Sequence, residues 1–211
     1  TAPTQVLMLS SLTTEGSTAS LQALKLGAAD VLAKDQSQFS TNMSKLQTKL
    51  IHTVKELAKS NPHKNKSAAA TPDKVDIPRF RPTQFDLVCI GSSTGGPPVL
   101  ETILGALPAT TQPPVVVAQH MPEIFTRSMA ERLNKLCPLT VVHVEEAETV
   151  EPGRIYLARG GKHMQIHKRA SGQLEARVGT HPADPISTPR VDALFPSAAK
   201  ATAARTLGIV P

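Results

Sequence analysis

The sequence predicts an α/β protein with a parallel sheet, and three observations carry that expectation. Short apolar runs of strand character alternate with segments whose apolar residues recur at three- and four-residue spacing. Turn-forming residues separate these segments, most visibly at Gly27, Gly95-Gly96 and Pro152-Gly153. A serine, Ser93, lies between glycines where one strand hands over to a helix.

Residues 5–9 read as a buried strand leading to Ser10-Ser11. Residues 17–26 are helical, with Gly27 placed to cap the C-terminus. Residues 30–33 form a second short strand that ends at Lys34. A long amphipathic helix covers 42–60, with Leu46, Leu50, Val54 and Leu57 on one face. Strand–helix–strand–helix is too little to close a domain by itself. Residues 61–84 are rich in Pro, Lys and Ala, lack periodicity and read as a linker.

From Phe85 the pattern resumes. A strand at 85–90 is followed by the Ser93 turn and a helix at 97–107, where Val99, Leu100, Ile103, Leu104 and Leu107 share a face. A strand at 114–118 ends in Gln119-His120-Met121-Pro122 and precedes a helix at 123–136. The segments 139–144, 154–158, 163–168 and 173–178, with turns between them, predict an antiparallel β segment. A last helix at 191–206 leads into an apolar run at 207–211.

Read from Gly91, the turn is G-x-S-x-G, the form of a nucleophile elbow that exposes a hydroxyl beside a helix N-terminus. Such a turn can instead cradle phosphate through backbone N–H groups. That alternative is weakened because no G-K-[ST] follows and the spacing is not G-x-G-x-x-G. Topology supplies a partner for the serine. Two strands joined by one helix form a right-handed βαβ unit, so their C-terminal ends share an edge of the sheet. Ser93 follows the first strand and His120 the second, which makes His120 a candidate general base. Thr94 and the N-terminus of the next helix are candidate donors to an oxyanion. In α/β-hydrolases an acid separates the elbow serine from the histidine; here only a helix and a strand do, so that fold is disfavoured. Of the downstream aspartates, Asp184 and Asp192, neither sits at the end of a parallel strand.

Composition narrows the classes further. The net charge of +6 owes much to Lys55, Lys59, Lys64, Lys66, Lys74, Arg79 and Arg81 in or near the linker, and with no Trp and one Tyr there is little to stack on bases. Nucleic-acid binding is not expected. Cys89 and Cys137 make neither a disulfide framework nor a zinc site, and Cys89 reads as a buried structural thiol. His163 and His167 share a strand face but lack acidic or Cys ligands at metal spacing, so no metal is expected. Arg127, Lys162 and Arg190 read as surface charges. No signal-like start or run of about 18 apolar residues occurs, so a cytoplasmic protein without membrane insertion is expected.

The motifs together carry a resemblance. Gly91 through Pro97, Gln119-His120-Met121-Pro122, Phe125-Thr126-Arg127-Ser128 and Arg132-Leu133-Asn134 resemble the catalytic domain of chemotaxis protein-glutamate methylesterases of the CheB type. Lys162-His163-Met164, Pro189-Arg190-Val191-Asp192 and Leu194-Phe195 extend the likeness over 85–211. Residues 1–60 resemble the second half of a response-regulator receiver domain. The implied architecture is the C-terminal half of a flavodoxin-like receiver (1–60), a linker (61–84) and a Rossmann-like parallel-sheet methylesterase domain with an antiparallel segment (85–211).

The resemblance implies hydrolysis of γ-glutamyl methyl esters, and deamidation of selected glutamines, on methyl-accepting chemotaxis receptors. It assigns Ser93 as nucleophile and His120 as base, with no cofactor for the esterase. In the receiver half it assigns Ser10 as the switch hydroxyl and Lys34 as the lysine that contacts the phosphoryl group. Phosphorylation by a chemotaxis histidine kinase, with Mg²⁺, belongs to the full-length protein. Asp35 stands where most receivers have a proline after that lysine. The phosphoacceptor aspartate is expected before Thr1 and the triad aspartate after Pro211, so an internal fragment of low activity and low stability is expected. A non-catalytic phosphate- or nucleotide-binding module remains the alternative, and an adaptor that docks receptors is a third reading.

Overall fold

A computed structural model describes residues 4–11, 13–34, 41–59, 85–181 and 188–211. The linker expected over 61–84 lies outside them, as do Asp35 and Asp184. The first part of the chain is β1 (Leu7–Ser11), α1 (Thr14–Lys25), β2 (Asp30–Lys34) and α2 (Thr41–Lys59), the order expected. Thr13 starts α1 by accepting a hydrogen bond from the Gly16 N–H, which satisfies one of the orphan donors of the first turn. The two strands are parallel, in register from Leu7–Asp30 to Ser11–Lys34. Such a pair needs a crossover, and α1 provides it.

The second part runs β3 (Leu87–Ser92), α3 (Gly96–Gly105), β4 (Val115–Gln119), α4 (Glu123–Leu136), β5 (Thr140–Val144), β6 (Ala147–Thr149) and β7 (Arg154–Ala158). It continues with β8 (His163–Lys168), β9 (Leu174–Gly179), α5 (Val191–Thr202) and β10 (Thr206–Ile209). Five strands form a parallel sheet in the order β10-β3-β4-β7-β5. The other three form an antiparallel sheet, β6-β9-β8.

The period of two along each strand divides the core between the two faces of the parallel sheet. Ile90, Val115, Val117, Ile155 and Leu157 meet Leu100, Leu104, Phe125, Met129 and Leu133 of α3 and α4. Leu87, Cys89, Val116, Ala118, Tyr156 and Ala158 face the other way, towards Met164, Ile166 and Ala176 of the antiparallel sheet and Leu194 and Ala198 of α5. Strands covered on both faces read as nearly unbroken apolar runs, as β4 does. Burial pushes the Cys89 thiol up to about 12, in keeping with the structural role expected for it.

Two expectations are corrected. Segments 139–144 and 154–158 were expected in the antiparallel region; instead β5 and β7 pair in parallel at one side of the main sheet. Residues 145–153 between them are too few for the usual helical crossover of a dozen residues or more. The link instead contains β6, which leaves the main sheet to pair with β9. Fully buried Tyr156 holds this link, its hydroxyl accepting from Glu151 N–H (2.8 Å) and donating to Thr149 O (3.0 Å). The last helix stops at Thr202 rather than 206, where Ala203 turns to φ = 53° and a 3₁₀ turn leads into β10.

The helix α1 packs on α3 and α4, and its Leu21 and Leu24 join their apolar cluster. Ser17 Oγ bonds Ser128 Oγ of α4 at 2.6 Å. A buried leucine is worth about 1.5–3 kcal/mol against a net 0.5–1.5 for such a hydrogen bond. Apolar contact, more than the serine pair, therefore holds α1 here.

Candidate active site

The site forms where β3 and β4 end together. Ser92 pairs with Gln119 in the ladder, and the His120 N–H donates to Ser92 O at 3.0 Å. Ser93 and His120 are thus the first residues past the same edge of two neighbouring strands. The helix after β3 covers one face of the sheet, whereas α5, which leads to β10 on the other side of β3, covers the opposite face. Open α/β sheets place ligands at such a switch point, beyond the C-terminal ends of the strands. Ser93 is exposed there and His120 half-buried beside it.

The elbow itself is held by few bonds. The Gly96 N–H returns to Ser93 O at 2.9 Å, with Gly95 at φ = 76°, a conformation glycine adopts without steric cost. The Gln119 amide donates to Ser93 O at 2.9 Å and so ties the turn to the end of β4. Gly96 is needed for a different reason: a Cβ there would collide with Ser92 Oγ and Gln119 Oε1. A Cβ on Gly91 would likewise collide with Val191 at the start of α5.

The expected oxyanion donors are narrowed by this geometry. Helix α3 opens Gly96-Pro97-Pro98, and the two prolines have no N–H to offer. The Gly96 N–H is already directed at Ser93 O. The helix start is therefore a poor anion cradle. The Thr94 hydroxyl is engaged elsewhere, donating to Asp30 Oδ2 of β2 at 2.9 Å.

The other singled-out residues fall as follows. Ser10 is buried and donates to Gly16 O at 3.0 Å, and Lys34 is exposed at the end of the neighbouring strand. They share the C-terminal edge of the β1–β2 pair; Asp30, which reaches the elbow, begins β2 at the opposite end. His163 is buried, its Nδ1 accepting from the Arg190 N–H at 3.1 Å, while His167 is exposed. No cluster of three or more His, Cys, Asp or Glu suited to a metal occurs among the described residues. Arg190 pairs with exposed Asp192 at 2.9 Å, and Arg127 with Glu145 at 2.8 Å.

Sequence reasoning missed the polar groups around His120. Gln119 is one; its signal was a polar residue closing the all-apolar run of β4. A second set joins the start of α4 to the ends of β5 and β7. Thr126 Oγ1 lies 3.0 Å from His143 Nε2, and His143 Nδ1 lies 2.8 Å from Glu145 Oε1. Burial alone would raise the Glu145 carboxyl; the bond and charge of His143, with Arg127 and Arg159, outweigh it and hold the group below the usual carboxylate range. Residues 126 and 143 lie on different elements, and no periodicity in the sequence links them.

The CheB methylesterase family model matches residues 88–210. The chain belongs to this family. It is 36% identical to protein-glutamate methylesterase/protein-glutamine glutaminase 2 of Nitratidesulfovibrio vulgaris, covering 99% of this chain and 63% of that protein. Like-named proteins of Geobacillus kaustophilus and Salmonella typhimurium are 37% and 36% identical over 99% of this chain, which spans 60% and 58% of their lengths. The chain thus spans about three fifths of these relatives. The crystal structure of the Thermotoga maritima CheB methylesterase catalytic domain superposes with a TM-score of 0.56 at 36% identity, covering 60% of this chain and 66% of that one. Membership in the CheB methylesterase family agrees with the parallel sheet and with the elbow at its switch point.

The crowding at Gly96 yields a direct expectation. Gly96→Ala should destabilise the chain by about 1–3 kcal/mol, as overpacking does, measured by urea unfolding. Gly105→Ala, where a Cβ meets nothing within 4 Å, is the control and should not destabilise.

Proposed function

We propose that this chain carries the nucleophile and base of a protein-glutamate methylesterase/protein-glutamine glutaminase. Ser93 Oγ attacks the carbonyl of a γ-glutamyl methyl ester while His120 takes its proton. The tetrahedral intermediate collapses, methanol leaves with that proton, and an acyl-serine remains. Water then attacks the acyl group, again losing its proton to His120, and releases the glutamate carboxylate and Ser93. With a glutamine substrate the leaving group is ammonia. The observation that carries this reading is the strand register that puts Ser93 and His120 side by side. The proline-blocked start of α3 counts against the rival phosphate-binding module.

The substrates on this reading are methyl-accepting chemotaxis receptors, and the setting is the cytoplasm. Among the described residues no helix is long and apolar enough to cross a membrane. The esterase needs no metal or organic cofactor. Residues 1–60 act as the second half of a receiver, with Ser10 and Lys34 at the phosphoryl end, a histidine kinase as phosphate donor and Mg²⁺ as its ion. Its α1 and Asp30 rest on α3, α4 and Thr94, which supports a receiver that restrains the elbow until phosphorylation shifts it.

The test is covalent labelling, which reads the nucleophile and its base directly. A fluorophosphonate should modify the native chain at Ser93, read by mass spectrometry. Ser93→Ala should abolish the adduct, and His120→Ala should slow it by about 10²–10⁴. Labelling elsewhere, or labelling indifferent to His120, would contradict the reading. Asp30→Ala should speed labelling of Ser93; an unchanged rate would remove Asp30 from the restraint.

A further inference from the structure

We infer that the groove between β8 and α5 binds an anionic stretch of the substrate chain while Ser93 acts on an ester of that chain. That the occupant is a substrate rests on the esterase reading above; the form and charge of the groove do not. The groove encloses about 560 Å³, with Gln165, His167 and Lys168 of β8 on one wall and Asp192, Pro196 and Lys200 of α5 on the other. Four-residue spacing puts the three α5 residues on one stripe of the helix. Strand β8 is the edge of its sheet, and α5 is fastened to that edge. Ser197 Oγ accepts from the Ile166 N–H at 3.0 Å and donates to Leu194 O at 2.7 Å. Both walls are thus fixed before anything binds. Pro196 inside α5 and Arg190 at its N-cap run against helix preference, a break with local rules that functional surfaces tolerate.

Cations outnumber carboxylates along this flank. Glu175 and Arg177 of β9 stand opposite His167 and Gln165, and opposed residues of an antiparallel pair share a face. Glu175 is nearly buried and committed to Arg169 and Arg177, while Asp192 is committed to Arg190 at 2.9 Å. Among the described residues, the charges of exposed Lys168 and Lys200 are left uncancelled at the far end of the groove. That end complements a carboxylate.

The near end of the groove adjoins the elbow. Val191 packs so closely on Gly91, two residues before Ser93, that no Cβ fits between them. From there α5 crosses to the opposite edge of the sheet, where β10 begins beside Leu87. Lys200 lies about 12 Å along the helix from Asp192. A chain with one ester at Ser93 therefore reaches Lys168 and Lys200 by lying along α5. The reaction itself supplies the charge that the groove receives. Each turnover replaces a neutral ester by a carboxylate, so a segment with several such sites becomes anionic as it is processed. The groove then holds the processed part while a remaining ester meets Ser93.

The experiment compares two peptides, each with one γ-glutamyl methyl ester, flanked on both sides by Glu-Ser or by Gln-Ser repeats. Both are bound to the whole 211-residue chain carrying Ser93→Ala, which cannot form the acyl-enzyme. By fluorescence anisotropy at low salt, the Glu-Ser peptide should bind about 10-fold more tightly, an advantage that shrinks as salt is added. The ¹⁵N NMR shifts that it causes should centre on residues 165–168 and 192–201. Adding Lys168→Glu with Lys200→Glu should lower its affinity to that of the Gln-Ser peptide. Lys25→Glu with Lys135→Glu makes the same change of net charge on exposed residues of α1 and α4 and should leave affinity within about twofold. Equal binding of the two peptides, shifts centred elsewhere, or equal losses in the two double variants would overturn the inference. Competition by single-stranded oligothymidylate as strong as that by the Glu-Ser peptide would also overturn it, by marking a general polyanion surface. Fluorophosphonate labelling of the native chain keeps the two readings apart. Groove binding without labelling of Ser93 counts against the esterase reading alone, and labelling without groove binding counts against the groove alone.

Discussion

The parallel register between β3 and β4 is the constraint on which the rest depends. Pairing Ser92 with Gln119 fixes which residues leave the sheet together, and a shift by one residue would turn Ser92 and Gln119 to the wrong face. That register is held from both sides of the sheet. Ile90, Val115 and Val117 must face α3 and α4, and Leu87, Cys89, Val116 and Ala118 must face α5 and the antiparallel sheet. Neither strand has a polar face to offer to water, so a slip would bring wrong partners together in both layers. Chemistry at the strand ends thus inherits its precision from apolar packing several residues earlier.

Where the strands stop, glycine takes over from packing. Gly91 lets α5 close on β3, Gly96 lets α3 start directly above Ser92 and Gln119, and Gly160 lets the turn after β7 lie against the His120 segment. Each is a place where backbone or side chain approaches too closely for a Cβ. The polar groups then set orientation: Gln119 holds the Ser93 carbonyl, and Thr126 closes the start of α4. Asp30 does the same for the Thr94 hydroxyl from outside the main sheet. One edge of the sheet therefore receives restraints from β2, β4, α4 and the turn after β7.

Much of this was legible in the sequence because it is local. The β3–α3–β4 unit announces itself by apolar runs, a glycine turn and helical spacing, and the handedness of βαβ units then places His120 near Ser93. The fate of β5 and β7 was not legible, because residues 145–153 look like a hairpin connection and hide a small strand that pairs with β9. Thr94 with Asp30, and Thr126 with His143, were equally hidden. They join residues 64 and 17 positions apart on elements whose mutual packing no periodicity encodes. The prolines after Gly96 were visible from the start, but their effect on the donors at the elbow emerges only once α3 is seen to begin there.

The claim that Ser93 and His120 act as one unit is tested most directly by a double-mutant cycle. Methanol release from a γ-glutamyl methyl ester would be followed, with enzyme in excess, for the native chain, Ser93→Ala, His120→Ala and the double variant. Residues of one catalytic unit are grossly non-additive, so the double variant should be no slower than the slower single variant. Losses that multiply across the two substitutions would mean that the serine and the histidine contribute independently, and would contradict the pairing that the strand register sets up.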